Sequence, residues 1–310
     1  MNHRLLGSTA LRIGEIGLGA WQLGSGAWGP LDESTAIAMV HEALCIGANF
    51  IDTAPGYGGG RSEEILGKAL KGRRSEAVIC TKFGHTAEGG SNFSAAAIRP
   101  GLESSLDRLQ TDHVDILLLH NPPADLLNGG APQYTELEAL KAEGKIRAYG
   151  VSVDWRADLD KVLDTTQCQV VEILFNAFHQ DPLASFPRAA AQGVGLIVKV
   201  PLDSGWLSGK YDASSTFTGV RDRWTHDQIE RRDRLVREFR ALIPSGISVT
   251  EAALQYILAR PEISTIIPGA RTIEQVRSNC AASNGRLPED IVEKVYTLWQ
   301  REIENDPLPW

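Results

Sequence analysis

Cysteine is scarce in this 310-residue chain, and Cys45, Cys80, Cys168 and Cys280 stand far apart with no C-x-x-C pair. That excludes a zinc ribbon and a disulfide-dense scaffold, and it fits a reducing compartment. Positive charge is also short: 31 lysines and arginines face 39 aspartates and glutamates, for a net charge of −8. The balance argues against nucleic acid or an anionic membrane as the main partner, while leaving room for a local basic pocket that takes a phosphate. No apolar run approaches the roughly 20 residues of a membrane span. The opening residues Met1-Asn2-His3-Arg4-Leu5-Leu6-Gly7 contain no signal-peptide core. Low-complexity tracts and linkers are missing too, so residues 1–310 read as a single domain of a cytoplasmic protein. What is present is apolar material: a 43% hydrophobic share is enough to bury a full core.

That material is arranged as short apolar runs followed by amphipathic segments. The runs at 16–20, 50–53, 77–82, 114–120, 148–152, 170–175, 195–200 and 265–267 lack polar alternation, as expected of parallel strands buried on both faces. Helical patterns cover 33–46, 93–109, 134–142, 248–259 and 272–281, and 290–301 reads as a terminal helix. Pro100 places the start of the second of these near itself. Eight strand-then-helix units predict an α/β fold, a (β/α)8 TIM barrel with right-handed crossovers. Between Val200 and Ser248 the spacing lengthens, which predicts a long loop insertion after strand seven, at the mouth, with a charged segment at 227–242.

Residues at the C-terminal ends of barrel strands converge on one mouth. In order, those ends offer Asp52, Lys82, His120, Ser152, Asn176 and Lys199, and Tyr57 follows in the loop Ala54-Pro55-Gly56-Tyr57-Gly58-Gly59-Gly60. A phenol titrates near 10, too high for easy proton shuttling at neutral pH, and a neighbouring lysine ammonium lowers that value. Asp52 can keep the ammonium charged, and a neutral His120 can hydrogen-bond a substrate carbonyl. The set describes a general acid beside a polarised carbonyl, and such a site needs a hydride donor that no side chain supplies. Gly24-Ser25-Gly26-Ala27-Trp28-Gly29 fits the dinucleotide fingerprint G-x-G-x-x-G. Asp32 and Glu33 at the following helix start would repel a pyrophosphate, so it reads as a glycine-rich loop. The histidines show no metal-ligand spacing, and no metal is expected. Trp28, Trp206 and Trp224 could equally wall a substrate pocket or cap the barrel. His85, just past Lys82, could touch substrate but is expected to face solvent, and the charged run 230–240 to be a solvated helix face.

Phe50-Ile51-Asp52-Thr53-Ala54-Pro55-Gly56-Tyr57-Gly58, Cys80-Thr81-Lys82-Phe83-Gly84 and Leu118-Leu119-His120-Asn121-Pro122 resemble the aldo-keto reductase family over nearly the whole chain. The resemblance implies a (β/α)8 carbonyl reductase dependent on NAD(P)H. It casts Tyr57 as acid/base, Lys82 and Asp52 as its tuners, His120 as the group that orients the carbonyl, and Trp21, Tyr57 and His120 as substrate contacts. It also implies a cofactor site. Ser152, Asn176, Lys199, Pro201 and Leu202 fall around the nicotinamide, Gly205, Leu207, Ser208 and Lys210 on a strap over the pyrophosphate, and Gly269, Arg271, Gln275 and Asn279 at the adenosine end. Arg271, a bidentate donor for a 2′-phosphate, favours NADP(H) over NAD(H). The departures are Val153 after Ser152, Glu172 in place of a glutamine, and Lys199 in place of the aromatic residue that stacks on the ring. The reading is an oxidoreductase acting on a small polar aldehyde, ketone or sugar, with a small-molecule carbonyl as partner. The alternative is a nucleotide-binding barrel that turns over slowly as a regulatory or channel-associated subunit.

Overall fold

The computed structural model describes residues 1–26, 29–219 and 222–309. The chain opens with an antiparallel hairpin, β1 (His3–Leu5) and β2 (Arg12–Gly14), which the sequence pattern did not reveal because each strand has three residues. Eight parallel strands then pair in chain order: β3 (Leu18–Gly19), β4 (Phe50–Asp52), β5 (Val78–Phe83), β6 (Val114–His120), β7 (Ile146–Val153), β8 (Val170–Leu174), β9 (Gly195–Lys199) and β10 (Ile263–Ile266). Parallel bridges Ile16–Ile266 and Gly19–Gly269 bring the first and last strands together and close the cylinder.

Side chains alternate between two apolar layers, as a strand buried on both faces requires. Phe50, Val78, Ile116, Leu118, Ala148, Val170 and Ile197 pack inside the barrel, together with Leu6, Leu11 and Ile13 of the hairpin segment. The hairpin therefore plugs the end where the strands begin. Ile51, Ile79, Leu117, Val171 and Val198 face outward against the helices.

These helices are α1 (Trp21–Gly24), α2 (Glu33–Cys45), α3 (Arg61–Ala69), α4 (Ala95–Leu109), α5 (Pro132–Ala142), α6 (Arg156–Thr165), α7 (Phe186–Ala191), α8 (His226–Leu242), α9 (Val249–Leu258), α10 (Ile273–Ala281) and α11 (Glu289–Glu302). Asp32, Thr225, Ser248 and Thr272 cap α2, α8, α9 and α10 by accepting from backbone amides in the first turn. Helix α4 corrects an expectation. It starts at Ala95, five residues before Pro100. The proline leaves only the carbonyl of Ala96 without its helical donor, and Ala96 lies on the exposed face, where water serves.

The segment from Val200 to Ser248 contains α8 and an irregular helical stretch, Asp203–Ser208. The charged run in α8 is not simply a solvated face. Arg232 is 1% exposed and bonds Asp203 Oδ2 at 3.3 Å and the Pro309 carbonyl at 2.6 Å. Arg231 bonds the carbonyls of Glu302 and Asp306. Helix α8 thus clamps the C-terminal segment to the strand-end face. Among the described residues no helix is long and apolar enough to cross a membrane.

Candidate active site

The ends of β4, β5, β6, β7, β8 and β9 deliver Asp52, Lys82, His120, Ser152, Glu172 and Lys199 to one face. Parallel register sets His120 beside Ser152 and Ser152 beside Glu172, so these three share one rung. Tyr57 sits on the loop between β4 and α3. The turn after it needs glycine: Gly58 has φ +65°, and a Cβ there would lie 2.0 Å from the Gly24 carbonyl oxygen of α1. That close approach packs the loop on α1. The Tyr57 ring stacks on Trp21 with centroids 6.0 Å apart and meets the His120 ring edge-on at 6.0 Å.

Behind the phenol lies a buried charge cluster. Asp52, Lys82 and Glu172 are 3%, 1% and 1% exposed, which for three ionisable groups demands mutual pairing. Lys82 Nζ donates to Asp52 Oδ1, to the Thr53 carbonyl at 3.1 Å and to the Tyr57 hydroxyl at 3.5 Å. Glu172 Oε2 stands 3.3 Å from the same ammonium. Ser152 Oγ donates to Glu172 Oε1 at 2.8 Å and accepts from Lys199 Nζ at 2.8 Å. Lys199 also bonds Asn121 Oδ1 at 2.8 Å and pairs with Asp154 Oδ1 at 2.7 Å.

The electrostatics overturn one expectation. Lys82 does pull the phenol of Tyr57 down, but burial outweighs it, and the carboxylates of Asp52 and Glu172 add to the upward push. Tyr57 therefore holds its proton more tightly than a free phenol. His120 is held well below the usual imidazole range by burial, with Lys82, Lys199 and His85 adding like-charge repulsion. It is neutral and able to hydrogen-bond a carbonyl. Burial raises Asp52, and Glu172 raises it further against the pull of Lys82. Burial pushes Glu172 up, but Lys82, Lys199 and hydrogen bonding with Asp52 and Ser152 outweigh it and hold it below its ordinary value.

A cavity of about 580 Å³ runs from Tyr57 and His120 to α10. Its inner end is lined by Trp21, His85, Asn121, Asp154 and Lys199. Its outer end is lined by Pro201, Leu202, Gly205, Ser208, Lys210, Gly269, Arg271, Gln275 and Asn279. The floor between the ends is strained. Val200, Asp203, Ser204 and Gly205 all have positive φ, at 54°, 44°, 53° and 100°. For a β-branched valine that is costly, and such strain concentrates at functional sites. Arg271 Nη2 donates to the Pro30 carbonyl at 3.0 Å, which fixes the guanidinium at the rim. Lys210 and Arg271 at the outer end, beside Gly205 and Gly269, are residues that would hold the diphosphate and adenosine phosphate of a dinucleotide.

Most residues expected from the sequence meet around this cavity. Lys82 lies behind its wall, in contact with Tyr57. Leu207 is buried in the apolar layer outside the barrel and does not line the cavity. Ser152 and Asn176 are buried as well. Asn176 Nδ2 donates to the Val200 carbonyl at 3.0 Å and its Oδ1 accepts from the Phe178 amide at 2.8 Å, so it braces the strained floor. Trp206 and Trp224 pack with Tyr211 and Phe217 as an aromatic cluster and do not line the cavity, while Trp28 lies outside the described residues. His85, expected in solvent, lines the cavity with its ring 5.0 Å from His120. Sequence reasoning missed Asn121, Asp154 and the pairing of Glu172 with Lys82. The signal for the last was a carboxylate on the Ser152 rung, one strand over. Asp52, Cys80 and Glu172 also bring ligand-type atoms within 4.8 Å of one another, but the Lys82 ammonium already bonds Asp52 and lies against Glu172.

Residues 15–300 match the sequence profile of the aldo/keto reductase family. The chain is 36% identical to L-galactose dehydrogenase of Arabidopsis thaliana, over 90% of this chain and 87% of that one. It is 34% identical to the NADH-specific methylglyoxal reductase of Escherichia coli (strain K12), over 92% of this chain and 94% of that one. Among solved structures, the holo form of an aldo-keto reductase from Bacillus halodurans superposes with a TM-score of 0.82 at 30% identity, covering 96% of each chain.

Proposed function

The chain belongs to the aldo/keto reductase family, an NAD(P)H-dependent group of enzymes, and from that premise we propose that it reduces a small polar aldehyde, ketone or sugar carbonyl, or oxidises the corresponding alcohol. The observation that carries the reading is the Tyr57 hydroxyl. It lies at the inner end of the cavity, within 3.5 Å of the Lys82 ammonium and beside the neutral His120. In reduction a carbonyl oxygen held by His120 takes the Tyr57 proton, and Lys82 steadies the phenolate left behind. A reduced nicotinamide dinucleotide, which Gly205, Ser208, Lys210, Gly269 and Arg271 would hold, would supply the hydride when bound. Burial keeps the Tyr57 hydroxyl protonated, so the proton is in place for donation to the carbonyl oxygen.

The substrate class follows from the inner walls. One aromatic ring, Trp21, shares the inner end with four polar side chains, His85, Asn121, Asp154 and Lys199, a lining suited to a small oxygen-rich molecule. The similar proteins named for L-galactose and for methylglyoxal support the same class. Preference for NADP(H) rests on Arg271 at the rim. Arg277, the next guanidinium in the chain and on α10, is already paired with Glu42 of α2 at 2.7 Å.

The test is Tyr57→Phe. The variant keeps the Trp21 stacking and loses one 3.5 Å hydrogen bond, so its stability should change by less than about 1 kcal/mol. Its NADPH-dependent reduction across a panel of aldehydes, sugars and diketones should fall about 100- to 10,000-fold. Full retention of activity would remove Tyr57 from the chemistry. Tight NADPH binding by the native chain with no turnover on any carbonyl would instead favour a regulatory subunit.

A further inference from the structure

We propose that Asp52 and Glu172 share one proton beside the Lys82 ammonium, which makes Glu172 a positioning residue that keeps a proton on the pair one step behind Tyr57. Two carboxylates close together in a site this dry cannot both ionise freely. One ammonium neutralises one of them. The second must find another cation or keep a proton, because leaving an unpaired charge buried costs several kcal/mol.

The next cation is Lys199, and it reaches Glu172 only through the Ser152 hydroxyl, while Asp154 neutralises it from the other side. The geometry therefore leaves the cluster one proton richer than its carboxylates alone would be. The hydrogen bonds say where it rests. Asp52 Oδ1 accepts from Lys82, while Glu172 accepts from Ser152 and stands against Lys82, so neither carboxylate is left bare and the proton belongs to the pair. Every charged or titratable group facing the cluster enters this balance: Tyr57 on its loop, Cys80 and Lys82 on β5, His120 on β6, His85 after β5, Lys199 on β9 and Asp154 after β7. Of these, Cys80 is a buried thiol pushed well above its ordinary range by burial first and the carboxylates second, so it stays neutral.

The inference deepens the proposed reaction and rests on it for its consequence. When Tyr57 gives its proton to the carbonyl oxygen, a proton of Lys82 can pass to the phenolate and the proton held by the Asp52–Glu172 pair to the Lys82 amine. Tyr57 is then neutral again, Lys82 an ammonium, and both carboxylates ionised until a solvent proton returns. The hydride in that turnover comes from a reduced nicotinamide dinucleotide.

Infrared titration of the cofactor-free protein tests the proton store. The native chain should show one buried protonated carboxyl at neutral pH. Both Glu172→Gln and Asp52→Asn should lose it in full, because each leaves a single carboxylate facing Lys82. A band that survives in either variant, or is missing from the native chain, overturns the sharing. Should either variant fail to fold by circular dichroism, Lys199→Met decides: its carboxyl band should titrate about half to one pH unit higher, and an unmoved band overturns the link through Ser152. The pH profile of NADPH-dependent kcat/KM adds a second reading. An ionisation matching the infrared midpoint should be present in the native enzyme and absent from Glu172→Gln. If the native chain reduces no carbonyl, the proposed reaction fails, and the infrared result still decides the shared proton.

Discussion

Replacing Lys82 with methionine is the perturbation whose size follows most directly from the structure. The ammonium is buried between Asp52 and Glu172, and methionine keeps the stem while removing the charge. At an effective interior dielectric constant near 20, a unit pair at 3.3 Å is worth about 5 kcal/mol. Breaking a buried pair from one side typically costs about 3–5 kcal/mol. The deficit depends on pH, because the carboxylates can escape it by binding protons. Without Lys82 both folded-state pKa values lie above the unfolded values near 4, so the stability they allow is fully present below about pH 4 and is lost as pH rises through the folded values. The native fold holds one proton on the pair and the variant holds two. The difference therefore grows by about 1.4 kcal/mol per pH unit from about pH 5 to about pH 8, reaching about 4 kcal/mol at the upper end. Urea unfolding followed by tryptophan fluorescence at both ends of that range reads it. A deficit equal at the two pH values would refute the reasoning, because it would mean that the carboxylates do not respond to the loss of their cation.

Arg271→Ala should raise the Kd for NADPH by about 10-fold or more and leave NADH within about 2-fold, measured by quenching of tryptophan fluorescence; equal losses would remove the 2′-phosphate role. Arg232→Met takes away the buried guanidinium that holds Asp203 and the Pro309 carbonyl. It should cost about 3 kcal/mol and raise amide hydrogen exchange at Gly205 and Ser208 while leaving α9 protected. Unchanged exchange in the 203–208 stretch would mean that α8 does not anchor the cavity floor.

The barrel was legible because a doubly buried parallel strand writes itself as an apolar run, and β6 was bounded to the residue on that signal alone. The hairpin of β1 and β2 was not, since three-residue strands carry no period, and Pro100 misled because a proline on an exposed face costs one carbonyl that water can satisfy. At the site, residue types at strand ends were enough to bring Asp52, Lys82, Tyr57 and His120 together. Their energetics were not readable in the same way. A lysine next to a phenol suggests a lowered pKa, yet the sign is decided by how much water the fold removes and by which other charges lie within reach, and Glu172 is 90 positions from Lys82 in the chain. The same blindness made Glu172 and Lys199 look like two separate departures at a nicotinamide subsite. In the folded barrel they are one feature: the carboxylate adds a negative charge beside Lys82, and Lys199, tied to it by Ser152 and balanced by Asp154, offsets part of it. Neither substitution makes physical sense alone, since Glu172 without Lys199 would leave the cluster more strongly anionic. Lys199 without Glu172 and Asp154 would be a cation with only the neutral oxygens of Asn121 and Ser152 for partners.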